Sequence, residues 1–308
     1  MKKIFLLFLF GALIPSVVGQ INSEDSTAQI IGYWDKNEKQ TYTITENSYQ
    51  ITNATDTTKR QLYSYNVDVE VIDSSANSYT LKWLYKNFNI KETWNPAMEK
   101  LISISNNLPV IIKTDEYGTF QEVVNWEEGR DFIKKGVDLL RNDYKAIPNF
   151  NIFLDQLVSL FSTKEAIENS AIEEVQQFYA FHGVKYKLGE EINAKIKLPN
   201  NYGGEPFDAD LTAELDQINE EDDNVIIRLW QTANSKQVTD AAYEFVKSMQ
   251  KTLGGTQINR EEFPLSNNEV RTASSIDGSS GWVIYSIQTK EVSANNILQI
   301  NERTIELQ

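Results

Sequence analysis

Long runs of strict alternation between water-facing and oil-facing side chains, near both ends of the chain, constrain this sequence more than any other feature. Tyr63, Tyr65, Val67, Val69 and Val71 are apolar, and Ser64, Asn66, Asp68 and Glu70 stand between them. Tyr79, Leu81, Trp83 and Tyr85 resume the pattern after the turn-like Ser74-Ser75-Ala76-Asn77. A side-chain period of two is that of a β-strand, and one wet face is the signature of antiparallel sheet. The second half behaves alike. Tyr186, Leu188, Ile192, Ala194, Ile196 and Leu198 predict one face of a long strand, broken by Pro199 and Gly203-Gly204. Phe207, Ala209, Leu211, Ala213 and Leu215 alternate with Asp208, Asp210, Thr212 and Glu214, and an acidic turn at 220–224 leads into residues 225–230.

These two meanders read as copies of one unit. Residues 65–69 correspond to 207–211, and 81–83 to 227–230. Each meander is followed by a helix. The first is predicted at 126–142, with Asn125 as N-cap and Glu128 three residues on; the second at 239–253, with Gly254 as its stop. Turns rich in Asp and Gly, 115–118 and 277–281, precede the helix in the first copy and follow it in the second, so element order is not kept there. Between the copies, residues 149–161 are apolar over more than one helical face, which predicts cover on both sides. Ser162 to Glu165 and Ser170 to Glu173 have capping-box spacing. A helix at 171–181 would turn Ile172, Val175, Phe178 and Tyr179 inward, with Gly183 ending it. The expected fold class is α+β: two curved, half-barrel-like antiparallel sheets with covering helices and a helical connector. The expected division is an export signal at 1–19, a first unit at 20–146, a connector at 147–183 and a second unit at 184–308.

The leader reading rests on Lys2-Lys3, the apolar run 4–14 and the small residues Val17-Val18-Gly19. That run is too short to span a bilayer. The chain is therefore expected to be exported, periplasmic or secreted, with the leader removed and no transmembrane segment left. It contains no cysteine, so disulfides, thiolate nucleophiles, Cys-bound zinc and a lipid-anchor cysteine are excluded. A formal net charge of −15 repels phosphate backbones, which argues against nucleic acid as a partner.

Chemistry is sparse. The one histidine, His182, falls at a predicted helix end beside Gly183, where the helix dipole favours a cation. One histidine cannot make a His-based metal site. Glu127 and Glu128 fall in a helix first turn, and residues 220–223 in a hairpin loop; both read as solvated acids rather than a glycosidase pair. The oxygen-rich segments 277–281 and 220–224 lack EF-hand spacing and read as tight turns rather than calcium sites. Phosphate-loop and dinucleotide motifs are absent, and Gly203-Gly204 and Gly254-Gly255 lie in turns, so no cofactor is expected. The sequon Asn53-Ala54-Thr55 lies in a polar hairpin loop. No catalytic residue and no metal ligand are assigned.

Aromatic residues are plentiful, with 6 Trp, 14 Tyr and 14 Phe. Most fall on apolar strand or helix faces, whereas Phe88, Trp94 and Tyr202 sit near breaks in the pattern. The leading expectation is a non-catalytic exported protein whose 149–161 helix plugs or lines a groove between curved sheets and helices; its sharpest form binds an apolar ligand, a lipid or lipidated partner, and the plain reading of the aromatics is a filled core. Phe153, Leu157, Phe161 and Tyr179 are the candidate ligand contacts. The alternatives are an accessory subunit of an envelope complex and a hydrolase using two carboxylates.

Several segments carry a family likeness. They are Gly32-Tyr33-Trp34-Asp35-Lys36, Leu108-Pro109-Val110-Ile111-Ile112, Val124-Asn125-Trp126-Glu127, the run from Phe181 to Gly189, and Leu198-Pro199-Asn200 before Gly203-Gly204. Through them most of the chain resembles exported bacterial proteins of unknown function, of the kind common in Bacteroidetes. That resemblance implies export and transfers no catalytic residue. The meander-plus-helix layout is also similar at fold level to the half-barrels of periplasmic lipoprotein carriers.

Overall fold

The computed structural model describes residues 20–53, 55–93, 96–146, 149–253 and 258–308. The expected leader, Ala54 of the sequon, Trp94 and Gly254-Gly255 lie outside the described residues. In chain order come β1 (Ile21–Asn22), β2 (Thr27–Gln29), β3 (Lys39–Thr52), β4 (Asp56–Ser75), β5 (Ser78–Glu92), α1 (Pro96–Ile104), β6 (Pro109–Asp115), β7 (Phe120–Val123) and α2 (Trp126–Asp143). They are followed by α3 (Phe150–Leu160), α4 (Lys164–Ser170), α5 (Glu173–Phe178), β8 (Lys185–Lys187), β9 (Glu191–Leu198), β10 (Phe207–Asn219), β11 (Asn224–Ala233), α6 (Ser235–Leu253), β12 (Ser266–Asp277), β13 (Val283–Ala294) and β14 (Ile297–Leu307).

The fold is α+β, built on antiparallel sheet. Eleven strands form one open sheet in the order β7-β6-β5-β4-β3-β14-β13-β12-β11-β10-β9, and β1-β2-β8 form a small second sheet. The two meanders thus belong to one sheet, joined where β14 pairs with β3 in the register Ile305↔Ile44 and Arg303↔Glu46. The long strand expected at 185–198 is two strands. Gly189, at φ +73°, turns the chain, so β8 pairs with β2 while β9 becomes an edge of the large sheet.

The alternation sorts as its period requires. Tyr65, Val67, Val69, Val71, Leu81, Trp83, Ile44, Ile112, Ile227, Leu215 and Ile305 are all buried. Fully burying such a side chain contributes about 1.5–3 kcal/mol. Along β12–β14 the same inner face turns polar: Ser274, Ser286, Thr272 and Gln288 occupy its positions, followed by Arg303 and Lys290. The core of this polar stripe is hydrogen-bonded. Gln177 of α5 donates through Nε2 to Ser286 Oγ (2.9 Å), Ser274 Oγ donates to Ser286 Oγ (2.8 Å), and Gln288 Nε2 donates to Thr272 Oγ1 (3.0 Å). Buried hydroxyls and amides persist in a core only when so paired.

Helix ends depart from expectation where side chains found other partners. Asn125 does not cap α2; its Oδ1 accepts from the Ile111 N–H (2.7 Å) and its Nδ2 donates to the Pro109 carbonyl (3.0 Å), tying the helix start to β6. Ser170 does not cap α5 either, and donates instead to Asn201 Oδ1 (2.8 Å). Ser162 does not cap α4, since its Oγ donates to the Ser159 carbonyl (2.7 Å); Thr163 takes that place, accepting from the Ala166 N–H. α6 starts a turn earlier than expected because Asn234 Oδ1 accepts from the Gln237 N–H (3.1 Å). α3 touches α2 and α6, and Asn149 Nδ2 donates to the Thr252 carbonyl. Leu154 is buried while Ile152 is 48% exposed, so one side of α3 meets solvent. Among the described residues no helix is long and apolar enough to cross a membrane.

Candidate functional site

Two cavities lie by α5. The first, of about 360 Å³, is walled by β4 and β5 on one side and by α1, α2 and α3 on the other. Tyr63 and Tyr65 reach it by alternation from β4. Phe88 reaches it through a β-bulge: Ser64 pairs with Asn89 but Asn66 with Lys86, and Asn87 takes a left-handed φ of +57°. The irregularity shifts the side-chain phase, so Phe88 stacks on Tyr65 with ring centroids 4.8 Å apart. Phe132 and Leu140 of α2, Leu101 of α1 and Leu157 of α3 complete the wall.

Glu174 brings a carboxyl into this apolar lining and accepts a hydrogen bond from the Tyr85 hydroxyl. The hydroxyls of Tyr63 and Tyr65 have no hydrogen-bond partner among the described residues, although Tyr65 is only 5% exposed. Burial holds the Tyr65 and Tyr85 phenols well above their usual range and raises that of Tyr63, so all three are neutral donors.

Next to Glu174 runs a chain of partly buried charge. Arg303 pairs with Glu46 and reaches Glu173 at 3.3 Å, and Glu173 meets Lys290 at 2.6 Å. Burial raises the Glu46 carboxyl, with Arg303 opposing. Burial acts the same way on Glu173, but Lys290 and Arg303 outweigh it and hold that carboxyl low. Glu46 and Glu173 are held on cations, and Glu174 on the Tyr85 hydroxyl, rather than facing each other across a polar cleft. The second cavity, of about 430 Å³, lies between α5, the start of α6, β10–β13 and the connection at 198–202.

Of the residues named from sequence, Leu157 lines the first cavity. Phe153 and Phe161 are half-buried on and after α3 and line neither cavity; Phe153 meets the Phe150 ring at 5.7 Å. Tyr179 lies in the core against Trp34, Trp83 and Phe178, and also lines neither. Phe88 lines the first cavity and Tyr202 the second. Glu174, Glu46 and Arg303 are absent from the sequence reading, and Tyr85 enters it only as an apolar strand position. Two of them carry a readable signal: Glu46 is in phase with Tyr42 and Ile44, and Arg303 with Ile305 and Leu307, so both are charges at inward positions.

The helix-dipole reading of His182 is overturned. The ring is 2% exposed, among Trp34, Phe178 and Tyr179, and burial lowers its pKa to about 4. Its Nε2 lies 2.8 Å from the Gly281 carbonyl, which can only accept, so Nε2 bears the proton. The two Asp and Gly turns converge here. Gly32 N–H donates to the Tyr117 carbonyl and Tyr33 N–H to that of Ser280. The oxygens of the acidic turns serve the turns themselves: Asp277 Oδ1 accepts from Ser280 N–H (2.7 Å), and the Asp223 carbonyl from Gly278 N–H (2.7 Å).

No family model matches the chain, and no curated protein matches it. Among solved structures the fold is similar to one described as lipid–protein interactions in lipovitellin, with a TM-score of 0.41 and 8% identity, over 89% of this chain and 25% of that chain. The chain spans about a quarter of that protein's length, and a likeness at this level carries no argument about what it binds.

Proposed function

We propose that the protein is a non-catalytic, exported binder of a small apolar molecule, held in the first cavity with a hydroxyl end against Glu174. The observation that carries this reading is an aromatic and aliphatic cavity of about 360 Å³ with one carboxyl in its wall. Small-molecule sites typically measure about 300–1,000 Å³, are mostly apolar and hold a few placed polar groups. Glu174 already accepts from Tyr85 and retains lone pairs for a second donor. The ligand chemistry that fits is an apolar body ending in a hydroxyl, such as a long-chain alcohol or an acylglycerol. The leader-like residues 1–19 and the likeness to exported bacterial proteins support a setting in the periplasm or outside the cell.

Native mass spectrometry of detergent-free protein, with titration of the apolar dye Nile red, tests the reading. Leu157→Trp fills the cavity and is expected to weaken dye binding about tenfold or more, equivalent to about 1.4 kcal/mol. Phe161→Trp, outside the lining, leaves it unchanged. Absence of both a co-purified ligand and dye binding would sink the proposal. A stably bound protein subunit in place of a ligand would favour the envelope-complex reading.

A further inference from the structure

We infer that the second cavity is a separate binding site and that its ligand is a neutral, hydroxyl-rich molecule of the saccharide class. Its lining differs in kind from the first. Side-chain amides converge on it from three adjacent strands and a helix: Gln231 of β11, Asn268 of β12, Gln288 of β13 and Gln176 of α5. The Gln231 and Asn268 amides make no hydrogen bond to the protein among the described residues. Gln288 uses its Nε2 on Thr272, and Gln176 uses its Nε2 on the Glu168 carbonyl, which leaves both Oε1 atoms open. Gln177, also in the lining, spends its Nε2 on Ser286, and its unpartnered Oε1 is enclosed rather than open to the cavity. An amide offers donor and acceptor together, as does a hydroxyl, so this set matches a polyol better than an ion.

Charge points the same way. The charged lining residues are Glu173 and Lys290, and they are paired at 2.6 Å, with Arg303 also on Glu173. No unpaired charge is left for a phosphate, carboxylate or ammonium, and a charged ligand would have to break a partly buried pair. Between the amides, Leu229 and Val270 offer apolar patches for the C–H faces of a sugar ring. Tyr202, 39% exposed and in ring contact with Phe245, presents an aromatic surface. At about 430 Å³ the cavity is of small-molecule size. The inference does not rest on the apolar-ligand proposal, because the two linings share no residue.

Ligand-observed saturation-transfer NMR on the full chain, with maltose, cellobiose and N-acetylglucosamine, followed by calorimetric titration of whichever binds, decides the matter. Binding is expected for at least one of the three. Gln231→Leu with Asn268→Leu should weaken it about tenfold or more, since each lost hydrogen bond is worth roughly a factor of two to ten and the two multiply. Tyr202→Ala, at an exposed position that leaves the core intact, should weaken it as well. Leu157→Trp should leave saccharide binding unchanged while weakening Nile red binding, which separates failure of one site from failure of the other. The inference is overturned if none of the three saccharides binds at about 10 mM. It is also overturned if folded variants of the amide pair and of Tyr202 bind as well as the parent, or if glucose 1-phosphate binds more tightly than the neutral sugars.

Discussion

Arg303 on β14 stands directly opposite Glu46 on β3, 257 positions away in the chain, and their side chains pair across the line where the two meanders join. Both are mostly buried, with side chains 12% and 16% exposed. Arg303 also holds Glu173 of α5, so one guanidinium ties the seam of the sheet to the helix that lies between the two cavities.

Arg303→Met should therefore destabilise the protein by about 3–5 kcal/mol, because it leaves Glu46 and Glu173 without their shared cation in a low-dielectric setting. Combining it with Glu46→Leu should recover a large part of the loss. Urea midpoints of parent, single and double variants measure this. A single-variant loss below about 1 kcal/mol would show the pair to be a surface-type bridge.

On the opposite face of the sheet, Asp68 is buried but holds Lys86 at 2.6 Å, accepts from Thr41 Oγ1 at 2.9 Å and pairs with Lys39. Burial alone would raise its carboxyl, but Lys39, Lys86 and Thr41 outweigh that and bring it from 3.8 down to about 2. The folded state thus holds this proton less tightly than the unfolded chain. Its stabilisation is complete above pH 4 and is lost as pH falls from about 4 to about 2. Allowing for the solvent-screened lysines, Asp68→Asn should cost about 1 kcal/mol at neutral pH. The difference from the parent should vanish near pH 2. A constant offset across that range, followed by urea unfolding, would contradict the assignment.

His182 behaves in the opposite sense of charge but the same sense of pH. Its imidazole drops from 6.5 to about 4 because burial disfavours the cation, so between those values the unfolded chain binds more protons than the folded one. Stability is full above pH 6.5 and declines towards pH 4, by up to about 3 kcal/mol. The chain has one histidine, so its imidazole resonance needs no assignment. That signal should stay in the neutral position down to about pH 5. A midpoint near 6.5 would mean that the ring is not enclosed.

Gly281 and Gly189 share a left-handed φ of +73° but differ in surroundings. A Cβ at Gly281 would lie 2.2 Å from the Ile31 carbonyl oxygen, whereas one at Gly189 meets nothing within 4 Å. Gly189→Ala should cost only the backbone strain of about 1–2 kcal/mol. Gly281→Ala should cost about 1–3 kcal/mol more, through displacement of the backbone beside His182. Thermal melts of the two variants compare them directly, and equal losses would show that the Ile31 contact gives way freely.

The alternating strands, and the helices near 126, 150 and 239, are legible because side-chain period and helix amphipathicity are local properties. Helix ends are less so. Asn125 and Ser170 carry capping chemistry, yet their side chains are taken by Pro109 and Ile111 in one case and Asn201 in the other. Of the first cavity, Leu157 is legible as an apolar residue on an over-apolar helix. Phe88 reaches the wall through the irregularity at Asn87, which a count of alternating residues cannot place. Tyr85 and Glu174 are hidden for another reason: a tyrosine on a strand face reads as core, and a glutamate in a helix first turn reads as solvated.

By itself, the sequence determined that this protein is made of antiparallel ribbons with one greasy face, flanked by amphipathic helices, because the period of a pattern depends only on neighbours a few residues away. The tertiary structure decided which ribbons meet. Backbone donors and acceptors are alike on every strand edge, so alternation says which way a side chain points and not which strand lies beside it. The pairing of β14 with β3, the seating of Glu173 and Glu174 on either side of one helix turn, and hence the presence of two cavities of opposite chemistry, follow from contacts between residues 89 or more positions apart.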